Sequence, residues 1–374
     1  MRKSLLKKTL TVVAALCASF SASAQTQIND EAGLAAIAND LGGNYVLAAD
    51  ITLSEEWTPI GSANDPFTGS FDGAGHCIKG LVITGNNNGV GLFGQVVGEV
   101  SNLRIIGANV TGNEHVGIVA GRLLDGGIID GVFTSGFISG RDHEGAIVGH
   151  VETAGIVSNC MSTAFVEGRE YQGGGISGWS KGTNTFENNL FLGQVTVGQW
   201  GGCGGIVGFY EEGTTSVVGN VCAAISLTGQ YGDLPVSGSN RYTHGIAGGP
   251  LNDESILDAY DNLLSEETKI FKTDGTELVH SDLDPIHNGE DTSVADLQKT
   301  STYTGIGFGR AWSLADGRFP VLAGMSVPFD GDYIAFKAAP EEFFAGNTHN
   351  LAAMSSLGRD VTITSSNTSA VKVN

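Results

Sequence analysis

Gly91-Leu-Phe-Gly94, Ile118-Val-Ala-Gly121, Ala146-Ile-Val-Gly149, Gly175-Ile-Ser-Gly178, Gly205-Ile-Val-Gly208 and Gly245-Ile-Ala-Gly248 decide the fold. Their closing glycines step by 27, 28, 29, 30 and 40 residues. Two further ladders drift with them: Asn102, Asp130, Asn159, Asn189, Asn220, and Gly112, Gly140, Gly168, Gly198, Gly229. Three ladders in step are the mark of a repeat architecture. Between the markers lie short runs such as Leu103-Arg-Ile-Ile106 and Gln194-Val-Thr-Val197. They are too short, and not periodic enough at 3.6, for helices. Each unit therefore holds about three strands of about 3–5 residues, punctuated by Gly and Asn that tolerate φ > 0. One turn per about 28 residues, stacked at about 4.8 Å, predicts a right-handed parallel β-helix. A β-propeller would need blades of about 40–50 residues. Each rung buries its Ile, Val and Leu against its neighbours, so no rung is stable alone.

The open first rung needs a cover. Asp30, then Glu31 to Leu41, reads as a capped helix with Leu34, Ile37 and Leu41 on one face and Gly42-Gly43 as its stop. Upstream, Arg2, Lys3, Lys7 and Lys8 precede an apolar run, Thr9 to Phe20, and Ala22-Ser23-Ala24 stands before Gln25. That is the pattern of a signal peptide cleaved after Ala24, and the apolar run is too short to span a bilayer. The small residue that lipoprotein processing needs before Cys17 is missing, since Leu16 stands there.

Residues 26–250 resemble bacterial surface proteins carrying the GLUG repeat, named for the Gly-Leu-x-Gly segment. The entry region shares the likeness through Trp57-Thr-Pro-Ile-Gly61, Pro66-Phe-Thr-Gly69, Phe71-Asp-Gly73 and His76-Cys-Ile-Lys-Gly-Leu81. Trp312-Ser-Leu314 with Phe319-Pro-Val-Leu322 fits the usual closing segment. Such modules occur in adhesin-like surface proteins and in the N-terminal region of secreted immunoglobulin A metallopeptidases. The resemblance implies an exported, surface-associated β-helical module and no catalytic residues. Ile118 and Ala146 depart from the pattern by replacing its first Gly.

The expected organisation is a signal peptide over 1–24, a cap and first strands over 25–70, a repeat β-helix over 71–250, and last rungs with an acidic connection over 251–325. The start of an immunoglobulin-like β-sandwich follows over 326–374. Its alternating Val361-to-Val373 stretch is too short for the about 100 residues of a full sandwich, so the chain reads as cut within that domain.

Composition narrows the function. The 374 residues hold 56 Gly without a period of three, which excludes collagen, and 41% hydrophobic residues, which excludes a disordered tail. A formal charge of −21, more negative still without the four basic residues of the signal peptide, repels phosphate backbones, so no nucleic-acid partner is expected. The four cysteines after the signal, Cys77, Cys160, Cys203 and Cys222, form no CxxC pair, and they read best as small buried hydrophobes. His143-Glu144 fails as HExxH because Ile147 stands where the second His belongs. No nucleophile elbow or P-loop appears, and no cofactor or catalytic residue is expected.

One column suggests a binding site. About six residues before the closing glycines stand Asn88, His115, His143 and Tyr171, with Trp200 and Tyr242 near the same register; Glu114, Asp142 and Glu170 precede three of them. Stacked at rung spacing, they would offer rings to sugar faces and acids to hydroxyls. His115 and His143 with Glu114 and Asp142 would alternatively hold a divalent metal, and packing alone would also align them. A second column, Gln95, Arg122, His150, Trp179 and Phe209, follows the closing glycines and reads as rung packing.

The favoured expectation is a secreted or cell-surface adhesin-like protein that binds a host glycoprotein, a glycan or a neighbouring cell. The alternatives are a β-helix polysaccharide lyase or hydrolase, the non-catalytic arm of a longer secreted peptidase, or a plain spacer.

Overall fold

The computed structural model describes residues 25–198, 200–233, 240–250 and 255–324, and the strands Ile334–Lys337 and Ala352–Ser355. The expected signal peptide and nearly all of the expected immunoglobulin-like segment lie outside the described residues.

The chain winds a parallel β-helix of about eight turns. One rung shows the course: Ala120–Leu124, Ile128–Asp130, Phe133–Gly140, Asp142–Gly145, and then Val148–Glu152 directly above the first strand. Repetition of these paths builds four parallel sheets along the solenoid. Registry follows side-chain identity. Phe71, Val100, Ile129, Val157, Phe186 and Val217 form one inward column, and each is fully buried. Ile83, Val110, Ile138, Val166, Val195, Leu227 and Ile270 form another. Each such side chain contributes about 1.5–3 kcal/mol of burial, and a slip of one residue would turn a whole strand's apolar set outward.

The helix covering the first rung is shorter than expected. It runs Glu31–Ala36 and tightens to a 3-10 turn at Ile37–Asn39. The Asp30 carboxylate accepts from the Gly33 N–H at 2.8 Å, and Leu34 and Ile37 are fully buried against the rung.

The Asn ladder is two columns. Asn102, Gly131, Asn159, Asn188, Gly219 and Asp261 occupy one corner, all with φ between 50° and 65°. Here the left-handed backbone selects Gly, Asn or Asp. One residue on, Asn189, Asn220 and Asn262 point inward and are buried. Asn220 Oδ1 accepts from the Asn189 N–H and Nδ2, both at 2.9 Å, and Asn262 Oδ1 accepts from the Asn220 N–H at 2.9 Å. Asp130 belongs to neither corner and lies in the strand before it. From Asn102 to Gly219 the corner steps by 29, 28, 29 and 31 residues and the ladder read from sequence by 28, 29, 30 and 31, so the ladder slides from one column to the next.

After the last rung strand, Glu290–Thr292, the chain returns along the flank. Ser293 caps the short helix Val294–Leu297. Trp312 and Ser313 then pair antiparallel with Leu322 and Val321. Tyr303, Phe308, Trp312 and Phe319 cover an outward column of Phe133, Met161, Leu190, Val221 and Leu263. The closing segment is thus an external strap, and it explains why an outward column is apolar. Cys77, Cys160, Cys203 and Cys222 are buried and form no disulfide; burial pushes the Cys203 and Cys222 thiols up to about 12.

Candidate functional site

The ring column lies on one edge of the solenoid, and its backbone is unusual. His115 and His143 have φ of 58° and 63°. Val90 registers with Val116, and Val116 with Glu144, so the residue before each is Gly89, His115 and His143; Gly89 has φ of 67°. The left-handed turn swings the two imidazoles toward the neighbouring strands Ala120–Leu124, Val148–Glu152 and Ser177–Lys181. These strands approach closely because their closing residue is Gly. A Cβ on Gly149 would lie 2.4 Å from the His115 carbonyl carbon, and one on Gly178 equally close to that of His143.

The two sequence columns therefore meet. His115 stacks on His143 with centroids 5.0 Å apart and planes 9° apart. His143 lies 4.3 Å from Trp179, His150 4.2 Å from Trp179, and His115 5.0 Å from His150. The result is a two-by-two block of rings, with each partner drawn from the following rung. His150 and Trp179, taken from sequence as packing of a separate column, are half of it. No pattern in either column alone shows the pairing.

Burial is the first cause of the electrostatics. It lowers His115 to about 4, holds His143 well below the ordinary imidazole range, and depresses His150; the Arg122 charge adds to each shift. All three rings are neutral at physiological pH, and the block is largely enclosed, with His150 buried. Outside the block, Arg141 pairs with Glu114, reaches Glu170 at 3.7 Å and lies 5.9 Å from the centre of the Tyr171 ring. His143 Nε2 is 3.3 Å from Asp142 Oδ1. The acids of the column are thus engaged with neighbours on the same edge. Among the described residues, no group of three His, Cys, Asp or Glu side chains is placed to hold a metal ion.

The block has an open end. Toward the N-terminus a pocket of about 480 Å³ lies between the columns, lined by Asn87, Asn88, Gly89, Gln95, His115 and Arg122 among others. The rung that would supply the next ring supplies Gly89 instead.

Tyr171, Trp200 and Tyr242 stand apart from the block. Glu144 registers with Gly173, so Gln172, not Tyr171, sits beside His143. Trp200 is among the exposed large apolar side chains, at 36%. Tyr242 joins a C-terminal group with Tyr231 and His244, and His244 stacks 5.0 Å from His287. There Tyr210 Oη is 2.9 Å from His287 Nε2, whose Nδ1 is 3.2 Å from Asp284. Sequence spacing missed this group because Asp284 and His287 come from the irregular last turn.

No family model matches the chain. A stretch of 132 residues is 36% identical to Halomucin of Haloquadratum walsbyi; it covers 30% of this chain and 1% of that protein's length. Among solved structures, one described as "a putative immunoglobulin A1 protease" from Bacteroides ovatus superposes with a TM-score of 0.67 at 20% identity. That match covers 80% of this chain and 92% of the other, and it shows a shared fold.

Proposed function

We propose that the chain is a secreted or cell-surface adhesin-like protein. Its β-helix displays a glycan- or glycoprotein-binding edge, preceded by the export signal over 1–24 and followed by an immunoglobulin-like segment over 326–374. The observation that carries this is the edge itself. Neutral stacked rings, an open pocket, and the outlying Tyr171 and Trp200 with Glu170 lie along one side of a rigid solenoid. Extended ligands suit such a surface, because each rung adds contacts at a fixed spacing. The GLUG-like repeats and the stretch similar to Halomucin support a surface setting. The fold likeness to the Bacteroides protein is compatible with an arm of a larger secreted protein, and carries no activity to this chain.

A second reading, cleavage of a bound polysaccharide, is favoured by the Asp284–His287–Tyr210 chain of contacts. One assay separates the two. Purified protein is incubated with polysaccharides and mucin-type glycoproteins, and both retention and fragment size are scored. Retention of unshortened ligand, weakened by Trp200→Ala or Tyr171→Ala, supports the binding edge. Shortened chains whose production stops in Tyr210→Phe support the enzyme. Neither retention nor cleavage leaves a spacer.

A further inference from the structure

The two facing columns are filled by rings in two rungs; in the rung before, Gly89 brings no side chain, and its partner from the following rung is Arg122, not a ring. Gly89 holds the position of His115 and His143 and shares their left-handed backbone. A Cβ built on it meets nothing nearer than Gln95 Nε2 and Gly94 O, both at 3.9 Å. Gln95 likewise stands where the next rungs place Arg122, His150 and Trp179. The pocket of about 480 Å³ is therefore a vacancy in an otherwise filled ring stack. His143 covers one face of the His115 ring, and the vacancy lies on the side of the preceding rung.

The geometry points to this vacancy as the seat of one uncharged pyranose residue of a glycan. This rests on the binding-module reading above and adds to it a place and a ligand class. Each charged group at the pocket wall has an opposite charge beside it, although Arg122 Nε is buried without a hydrogen-bond partner. Arg122 bonds Glu152 at 2.5 Å, and Asn88 Nδ2 donates to Glu114 at 3.2 Å, whose carboxylate Arg141 pairs. A chain of formal charge −21 also disfavours anions. What the wall offers is amide chemistry. Asn87 and Gln95 each carry a donor and an acceptor, the pattern that neighbouring sugar hydroxyls satisfy. The His115 ring, braced by three others, supplies a flat face for the C–H side of a pyranose. The volume lies within the roughly 300–1,000 Å³ of small-molecule sites.

The test titrates the purified full chain with methyl glycosides of uncharged hexoses and N-acetylhexosamines. Glucuronate, inorganic phosphate and adenosine serve as anionic and flat-ring controls, and ligand-observed NMR and calorimetry are the readouts. At least one uncharged glycoside binds the parent protein, and Gln95→Ala weakens it roughly tenfold, the loss of one well-made hydrogen bond. Gly89→His fills the vacancy with the side chain that the next two rungs carry on the same backbone. It abolishes glycoside binding while the protein still folds, at the modest cost in melting temperature that a side chain on left-handed backbone carries. Ala63→Trp, at an exposed loop position on the pocket rim, blocks the site without touching the rungs. The proposal is overturned if no uncharged glycoside binds or if binding survives both blocking variants. It is equally overturned if a control ligand binds more tightly than every uncharged glycoside. Polysaccharide retention that persists in both blocking variants removes the pocket and leaves the binding edge standing. Absence of retention by the parent protein removes both.

Discussion

Replacing Glu144 by Val is expected to stabilise the protein at neutral pH and to matter little in acid. Glu144 is fully buried, and neither carboxyl oxygen has a hydrogen-bond partner. It stands in an inward column with Val90 and Val116 before it and Gly173 and Cys203 after it. Desolvation, with the charge of Asp142 behind it, holds the carboxyl well above the usual carboxylate range, and Arg169 and Arg141 oppose this in part. A raised acid binds a proton in the folded state that the unfolded chain releases. Its contribution is therefore complete below the ordinary value of 4.5 and is lost as pH rises. Each pH unit over which the folded acid stays protonated costs about 1.4 kcal/mol, an upper bound of about 3.5 kcal/mol near pH 7. The orphaned oxygens cost about 1–3 kcal/mol at any pH. Valine removes both and leaves a small void, because the carboxyl group now fills the space over Gly140 and Gly168, at a cost of about 1 kcal/mol. The net gain is about 1 kcal/mol near pH 4.5 and grows as pH rises, to at most about 4–5 kcal/mol near pH 7. The assay is urea unfolding of both proteins across that range, read as the difference between them. The difference is needed because the depressed histidines work the other way and cost stability as pH falls from about 6.5 through about 4. A variant that is less stable at neutral pH, or whose advantage does not change with pH, refutes the reasoning.

Asn220→Ala removes an acceptor used by the Asn189 backbone and side chain and strands buried donors, so urea unfolding should show a loss of about 2–4 kcal/mol. Gly149→Ala pushes a methyl group into the His115 backbone. It should destabilise by about 2 kcal/mol or more and disturb the ring block, seen as a changed Trp179 fluorescence. The buried thiols should resist a thiol reagent near pH 8 until the protein unfolds, since Cys203 and Cys222 are pushed up to about 12; prompt labelling of the native protein would contradict their placement. Trp312→Ala should cost about 3 kcal/mol and expose the strap to protease before the solenoid is cut.

The repeat, the parallel winding and the cap were legible in the chain itself. Every rung meets the same steric demands, so Gly recurs where strands touch, Asn or Gly where φ is positive, and Ile, Val or Phe where a column faces inward. The capping helix announced itself through Asp30 and the spacing of Leu34 and Ile37. The corner ladder was half legible, because Asn serves both a left-handed backbone and an inward hydrogen bond, and residue identity does not separate the two. The strap was visible only as a closing motif, since Trp312 and Phe319 say nothing of the outward Phe133 and Met161 that they cover.

The site was decided in three dimensions. His115 and His143 were readable as a column, as were His150 and Trp179. That the columns face each other depends on how far Gly149 and Gly178 let the strands close on the previous rung. That contact crosses more than 30 residues of chain. The pocket lies further still from sequence: it exists because Gly89 brings no side chain to a place where the next two rungs bring rings, and a missing ring acquires meaning only beside those that are present. Sequence repetition sets what each rung must do alone, whereas the offset between neighbouring rungs, a packing property, sets what they do together.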